Sequence, residues 1–503
     1  MKNTKIDDAL AFVNQVLARQ DILAHACGVL NYDMETICPE NAIEEQGQII
    51  AELSNQAFVL TKDEAFIQNA EFLYQNIDQI SSDFDRALII DLHQNYVKTK
   101  NITPELDKEF SLGFNLAYSK WLQAKKADDF SIFAPHLQTV RDINLKQIEL
   151  RPDALPNAYD NLLDDYERGM KCADLDVIFD QCKARLIPLL QKIQASGKKI
   201  RSDFMFRKVT DQQQQECADF LLDLMGFDKK RGALSFSEHP FTDALGQNDV
   251  RITTHFYSDN FASSMYSVIH EAGHALFELL QPAENWQHHL SRKTLGMHES
   301  VSRFYENRIA RSKAFVELIF PKLARIFPQV LGDVSAEELY DALNIVQPSL
   351  IRTEADEFTY TFHIIIRYEL EKAIINDKVK IEDLPGLWNE KYRQYLGIVP
   401  PGAREGILQD VHWSSGFGYF CTYALGNFYN AMYYNKMQSE FSIENAVKTG
   451  DFAKINQWMK DRVFAFADRL EPKEWLYNIC GTDFSPEPFL NYIEEKYSAI
   501  YGL

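Results

Sequence analysis

Apolar residues recur three and four positions apart along most of this chain, the spacing of amphipathic helices. Helices are predicted over residues 7–26, 41–60, 103–126, 175–196, 211–224 and 335–346, and in pieces over 442–470. The β-like exception is 249–257, where Val250, Ile252, Thr254 and Phe256 alternate with polar neighbours. A partner near Leu234-Ser235-Phe236 would make a small sheet, at which an extended peptide could add by backbone pairing. A strongly apolar helix is predicted next. Asp259-Asn260 offers its N-cap, and Phe261, Met265, Val268, Ile269, Ala272, Leu276, Leu279 and Leu280 its packing faces. Gly273 costs such a helix about 1 kcal/mol relative to Ala, which suits a place where something approaches the backbone closely.

That helix carries His270-Glu271-Ala272-Gly273-His274. At about 100° per residue, His270, Glu271 and His274 share one face, so the imidazoles can close on one cation while Glu271 reaches a water bound to it. A core helix does not bury two His and a Glu on one face without a partner for them. Catalytic zinc takes three protein ligands and leaves a fourth position for water. The third is expected to be Glu299, on a helix running from near Met297 to about Phe320 before Pro321, with His298 as its rival. Arg352 is a guanidinium that could grip a terminal carboxylate bidentately, on a helix expected to continue through the apolar stretch 358–366. A pair with Asp356 four residues on is its ordinary alternative, and Asp356 could instead orient Arg352 or a ligand imidazole.

Composition narrows the class. With 52 basic against 73 acidic residues the formal charge is −21, a surface that repels nucleic acid and anionic lipid and can steer cationic peptides. No run approaches the roughly 20 apolar residues of a membrane span, and the first residues lack a signal core, so neither partner is expected and the cytoplasm is the expected location. The seven cysteines have no C-x-x-C spacing, as in reduced thiols, and Cys421 is not expected to be a nucleophile. No linker, repeat or low-complexity tract divides the chain, so residues 1–503 are expected to form one catalytic unit with two lobes.

Six ordered motifs then resemble the thermostable carboxypeptidase (carboxypeptidase Taq) family of metallocarboxypeptidases. They are His239-Pro240-Phe241, Asp249-Val250-Arg251-Ile252-Thr253, His270 to His274, His298-Glu299-Ser300, Ile351-Arg352-Thr353-Glu354-Ala355-Asp356, and Gly406-Ile407-Leu408-Gln409-Asp410-Val411-His412-Trp413. Upstream, Tyr32-Asp33-Met34-Glu35-Thr36 and Leu162 to Glu167 extend the likeness. Arg168 and Cys421 stand where the family has Pro. The resemblance implies a mainly α, two-lobed helical fold with a deep central groove, a small β element beside the metal helix, and a homodimer. It implies a Zn2+ site, which Co2+ or another divalent metal could fill, and removal of single residues from peptides with a free C-terminus. It also implies oxyanion donors in Tyr423 and His412, and a closed groove end shaped by His239 and Arg251. A helical oligopeptidase cutting internal bonds is the alternative. A non-catalytic metal-stabilised protein is a further one, against which Glu271 speaks, since a structural site has no use for a base.

Overall fold

The computed structural model describes residues 4–290, 294–467 and 469–503, which form a mainly helical body with one small sheet among the described residues. The helices expected from periodicity are present as Thr4–Thr36, Ile43–Lys62, Pro104–Ala127, Cys172–Ala195, Asp211–Met225 and Ala336–Leu343. The stretch 442–470 breaks into Ile443–Lys448, Phe452–Met459 and a wide turn at Lys460–Phe464, with residue 468 outside the described residues. Local chemistry sets several starts: Thr103 caps before Pro104, and Thr210/Gln213 and Ser335/Glu338 close reciprocal capping boxes. The first helix runs on past Ala26 to Thr36, and Cys27 and Tyr32 are buried in that extension.

Two hydrophobic cores result. Among the described residues, a small one joins Ile6, Val13, Leu17, Phe66, Leu73, Ile89 and Leu92 of the N-terminal helices with Leu290, while the large one runs from Ala117 to Tyr501, and helix Ile43–Lys62 belongs to neither.

The strands are β1 (Gly232–Phe236), β2 (Thr242–Gly246) and β3 (Asp249–Thr254), in the order β1-β3-β2. β3 runs parallel to β1, with Leu234 opposite Ile252, and antiparallel to β2, with Thr242 opposite Ile252. The expected partner of β3 is therefore found, but the strand stops at Thr254, and β2, too short to show alternation, was not expected. Because β3 lies between two neighbours, its backbone is already paired and no peptide can add to it. Val250, Ile252 and Thr254 are fully buried on the face toward the next helix, whereas Arg251 lies on the other face over the Tyr32 ring at 5.1 Å.

That next helix, Phe261–Leu280, starts where Asn260 accepts the Ser263 N–H, and it is buried on nearly every side. The single helix expected from Met297 to Phe320 is instead three pieces: Leu295–Arg303, a wide π turn at Phe304–Ala310, and Lys313–Ile326 capped by Ser312. Pro321 lies inside the last piece rather than ending it, since buried Phe315, Ile319 and Leu323 hold the helix through the hydrogen bond it removes.

Candidate metal centre

Two helix contacts build the site. A Cβ on Gly273 would sit 2.7 Å from the Ser302 Cα, and one on Gly426 would sit 2.9 Å from the Glu299 Cγ, so glycine lets helices Phe261–Leu280 and Cys421–Glu440 close on Leu295–Arg303 from both sides. That close approach delivers Glu299 to the imidazoles. His270 Nε2 and His274 Nε2 lie 3.7 and 3.6 Å from Glu299 Oε2, and one ligand atom from each residue lies within 4.8 Å of the others. Donors about 2.0–2.2 Å from one tetrahedral cation stand about 3.4 Å apart, so this donor set fits such an ion.

Each imidazole is held from behind. His270 Nδ1 donates to Glu306 at 2.8 Å, which fixes its tautomer and aims Nε2 at the site. His274 Nδ1 meets His298 Nδ1 at 2.5 Å, and His298 Nε2 meets Glu278 at 2.9 Å. One proton per bond follows if His298 donates to Glu278 and accepts from His274. His298, the rival ligand, thus sits behind His274 and not beside it. Arg303 joins the ligands: its Nε donates to Glu299 Oε1 at 2.7 Å and its Nη1 to Glu306 at 3.1 Å. Burial works against charge on both carboxyls, yet Arg303 and the imidazoles outweigh it, holding Glu299 far below the usual range and Glu306 down at about 2. Glu271 is buried beside them, its Oε2 accepting the Thr242 hydroxyl of β2 at 2.6 Å.

Arg352 lies on a separate turn, Arg352–Glu354, and not on the helix Glu357–Ile375. It is only 6 % exposed. Nε donates to Asp410 at 3.0 Å and Nη1 to the Tyr360 hydroxyl at 3.2 Å, while Nη2 has no hydrogen bond among the described residues. Asp356, expected to pair with Arg352 or a ligand imidazole, does neither. It caps the helix at the Thr359 N–H and takes a second bond from the Gln347 N–H, the ordinary work of an Asp at that position.

Tyr423 and His412 come together beside Arg352. The Tyr423 hydroxyl donates to Tyr419 at 3.3 Å and its ring lies 4.9 Å from the Arg352 guanidinium. His412 packs on Phe420 and Tyr419, and burial draws its pKa down to about 4, so the ring is neutral near pH 7. His239 and Arg251 are not brought into contact with this set. The His239 side chain is exposed, and Arg251 pairs with Asp249 at 2.8 Å on the sheet face turned from the ligand helix. Cys421 is fully buried with its thiol pushed well above the usual value, which removes it as a nucleophile, and Arg168 pairs with Asp91 at 2.7 Å. A cavity of about 330 Å³ between Asp91, Arg168, Leu295 and Glu471 includes none of the ligand residues.

Sequence reasoning missed Thr242, Glu278, Arg303, Glu306 and Tyr360. Part of the signal was present: Glu299, Arg303 and Glu306 share a face at steps of four and three, as do His274 and Glu278 at a step of four.

Comparison with known proteins gives concordant results. Residues 12–497 match the model of the carboxypeptidase Taq (M32) metallopeptidases. The chain is 35 % identical over 491 residues to carboxypeptidase 1 of Bacillus subtilis, covering 97 % of this chain and 98 % of that one. It is 36 % identical to thermostable carboxypeptidase 1 of Thermus thermophilus over 95 % of this chain and 96 % of that one. The crystal structure of the M32 carboxypeptidase from Deinococcus radiodurans superposes with a TM-score of 0.94 over the full length of both chains at 30 % identity.

Proposed function

Because the chain belongs to the carboxypeptidase Taq (M32) family, it is a metallocarboxypeptidase, a hydrolase of C-terminal peptide bonds, and we propose that the residues gathered above carry that reaction. The observation that carries the proposal is the meeting of His270, His274 and Glu299, with Glu271 alongside. Two imidazoles and a carboxylate are a donor set for Zn2+, with Co2+ or another divalent ion able to substitute. When bound, such an ion polarises a carbonyl oxygen and acidifies a water molecule. Glu271, with Thr242 holding one carboxylate oxygen so that the other is aimed, would accept the proton of a water acidified by such an ion and pass it to the leaving amine. Arg352 receives the terminal carboxylate through Nη2, kept rigid by Asp410 and Tyr360. Tyr423 is the neighbouring hydroxyl able to donate to developing oxyanion charge, and neutral His412 supports the aromatic wall beside it.

Residues 1–503 act in this reading as one unit on peptides with a free C-terminus, in the cytoplasm and as a homodimer. Support comes from seven unpaired cysteines, the −21 charge that disfavours nucleic acid, and the absence of a helix long and apolar enough to cross a membrane among the described residues.

Mass analysis of a defined peptide tests the anchor. Wild type should release single C-terminal residues and lose most activity when the terminus is amidated. Arg352→Ala should cost about 2 to 5 kcal/mol in transition-state binding of the free peptide and gain little further loss on amidation. Equal internal cleavage of free and amidated peptides by wild type would replace this reading with that of an oligopeptidase.

A further inference from the structure

Tyr360 stands in the first turn of Glu357–Ile375 and touches both Arg303, behind the metal ligands, and Arg352. Its ring lies under the Arg303 guanidinium at 4.6 Å, and Arg303 holds both Glu299 and Glu306. Its hydroxyl accepts from Arg352 Nη1 at 3.2 Å. A third contact, edge-on to Tyr423 at 6.4 Å, fixes the ring plane, and the side chain is 5 % exposed. A buried hydroxyl is not needed for a ring to stack on a guanidinium, and phenylalanine would fill the same volume. Among the described residues the hydroxyl has one hydrogen-bond partner, Arg352.

We propose that Tyr360 is a positioning residue with two separable halves: the hydroxyl fixes the Arg352 fork in the attitude that accepts a C-terminal carboxylate, and the ring steadies Arg303 behind the metal ligands. The inference rests on the reading of Arg352 as the carboxylate anchor. Without the hydroxyl, Nη1 loses its acceptor and the guanidinium can turn about its remaining bond to Asp410, which swings Nη2 out of aim without touching the ligands.

The test compares a free and an amidated peptide of one sequence on metal-loaded wild type, Tyr360→Phe, Tyr360→Leu, Arg352→Lys and the Tyr360→Phe/Arg352→Lys double variant. Tyr360→Phe should raise KM for the free peptide about ten- to a hundredfold, as expected for losing a hydrogen bond to a charged group, with kcat nearly kept. Its activity on the amidated peptide and its metal content should equal those of wild type. Tyr360→Leu should in addition lower kcat and release metal faster to a chelator. The double variant should be little worse than Arg352→Lys alone, because both act on one fork. A role in folding alone would lower both peptides equally and would not couple to Arg352. If Arg352→Lys loses the preference for the free terminus while Tyr360→Phe keeps it in full, the inference falls and the anchor stands. If Arg352→Lys keeps that preference, the anchor itself is wrong and the inference falls with it.

Discussion

His274 and His298 lie one hydrogen bond apart, and what stands behind each decides which faces the site. His298 has Glu278 on its far side and His274 on its near side, so both its nitrogens are engaged, whereas His274 keeps Nε2 turned toward Glu299. Glu299→Ala should therefore weaken metal binding by orders of magnitude, since a ligand is lost. His298→Ala should weaken it by about 10- to 100-fold, the effect of losing a group that orients a ligand. Equilibrium dialysis of the two proteins measures both, and the opposite ranking would exchange the two roles. Glu271→Gln should bind metal in full and lose nearly all turnover, because an amide accepts no proton from water while both imidazoles remain. Metal analysis alongside peptide hydrolysis checks it. His270, Glu271 and His274 were legible because their spacing is local, on one helix face, and Glu299 because such a site needs a third donor from a second helix. Thr242 and the Arg352–Asp410 pair were not, because loops and strands bring together residues far apart in sequence, and no periodicity encodes that.

At the scale of elements, the metal centre is a contact between helices before it is a cluster of side chains. Gly273 and Gly426 mark where the outer helices touch Leu295–Arg303, and the sequence showed only that something must come near Gly273. Gly273→Ala would push a methyl group against the Ser302 backbone, costing about 1 to 3 kcal/mol of stability and moving the imidazoles away from Glu299. Calorimetry should show the lower melting temperature, and exchange against a chelator a faster loss of metal. A Gly273→Ala protein that melts and holds metal as wild type does would show that the two helices have room to part. The same packing explains the broken helix after Arg303. The π turn at Phe304–Ala310 places Glu306 against His270 and Arg308 between the Tyr434 and Tyr492 rings, a tertiary demand that helical periodicity alone does not reveal.

For the whole molecule, buried acids set how folding responds to pH. Burial lifts Glu371 from 4.5 to about 7, although Tyr159, Trp413 and the Gly418 N–H all donate to it, and it lifts Glu167 similarly. The folded chain thus keeps a proton on each that the unfolded chain releases above about 4.5. Their stabilising contribution is complete below that pH, falls as pH rises to about 7, and stays lost above it. Glu371→Gln should remove its share, flattening the decline in urea resistance between about pH 5 and about pH 7.5 by on the order of 1 to 3 kcal/mol. An unchanged slope would mean that Glu371 is not the group that titrates. At this scale the helical class and strand β3 were readable from periodicity, but the division of the apolar residues between two cores was not, since pattern tells which residues are buried and not with whom. That division gives the molecule two free energies of opening. Amide protons of the N-terminal helices around Ile89 should then exchange with the opening of the small cluster and Leu290, and those around Ile365 only when the large core gives way, so that the outer helices can loosen with the imidazoles still in register.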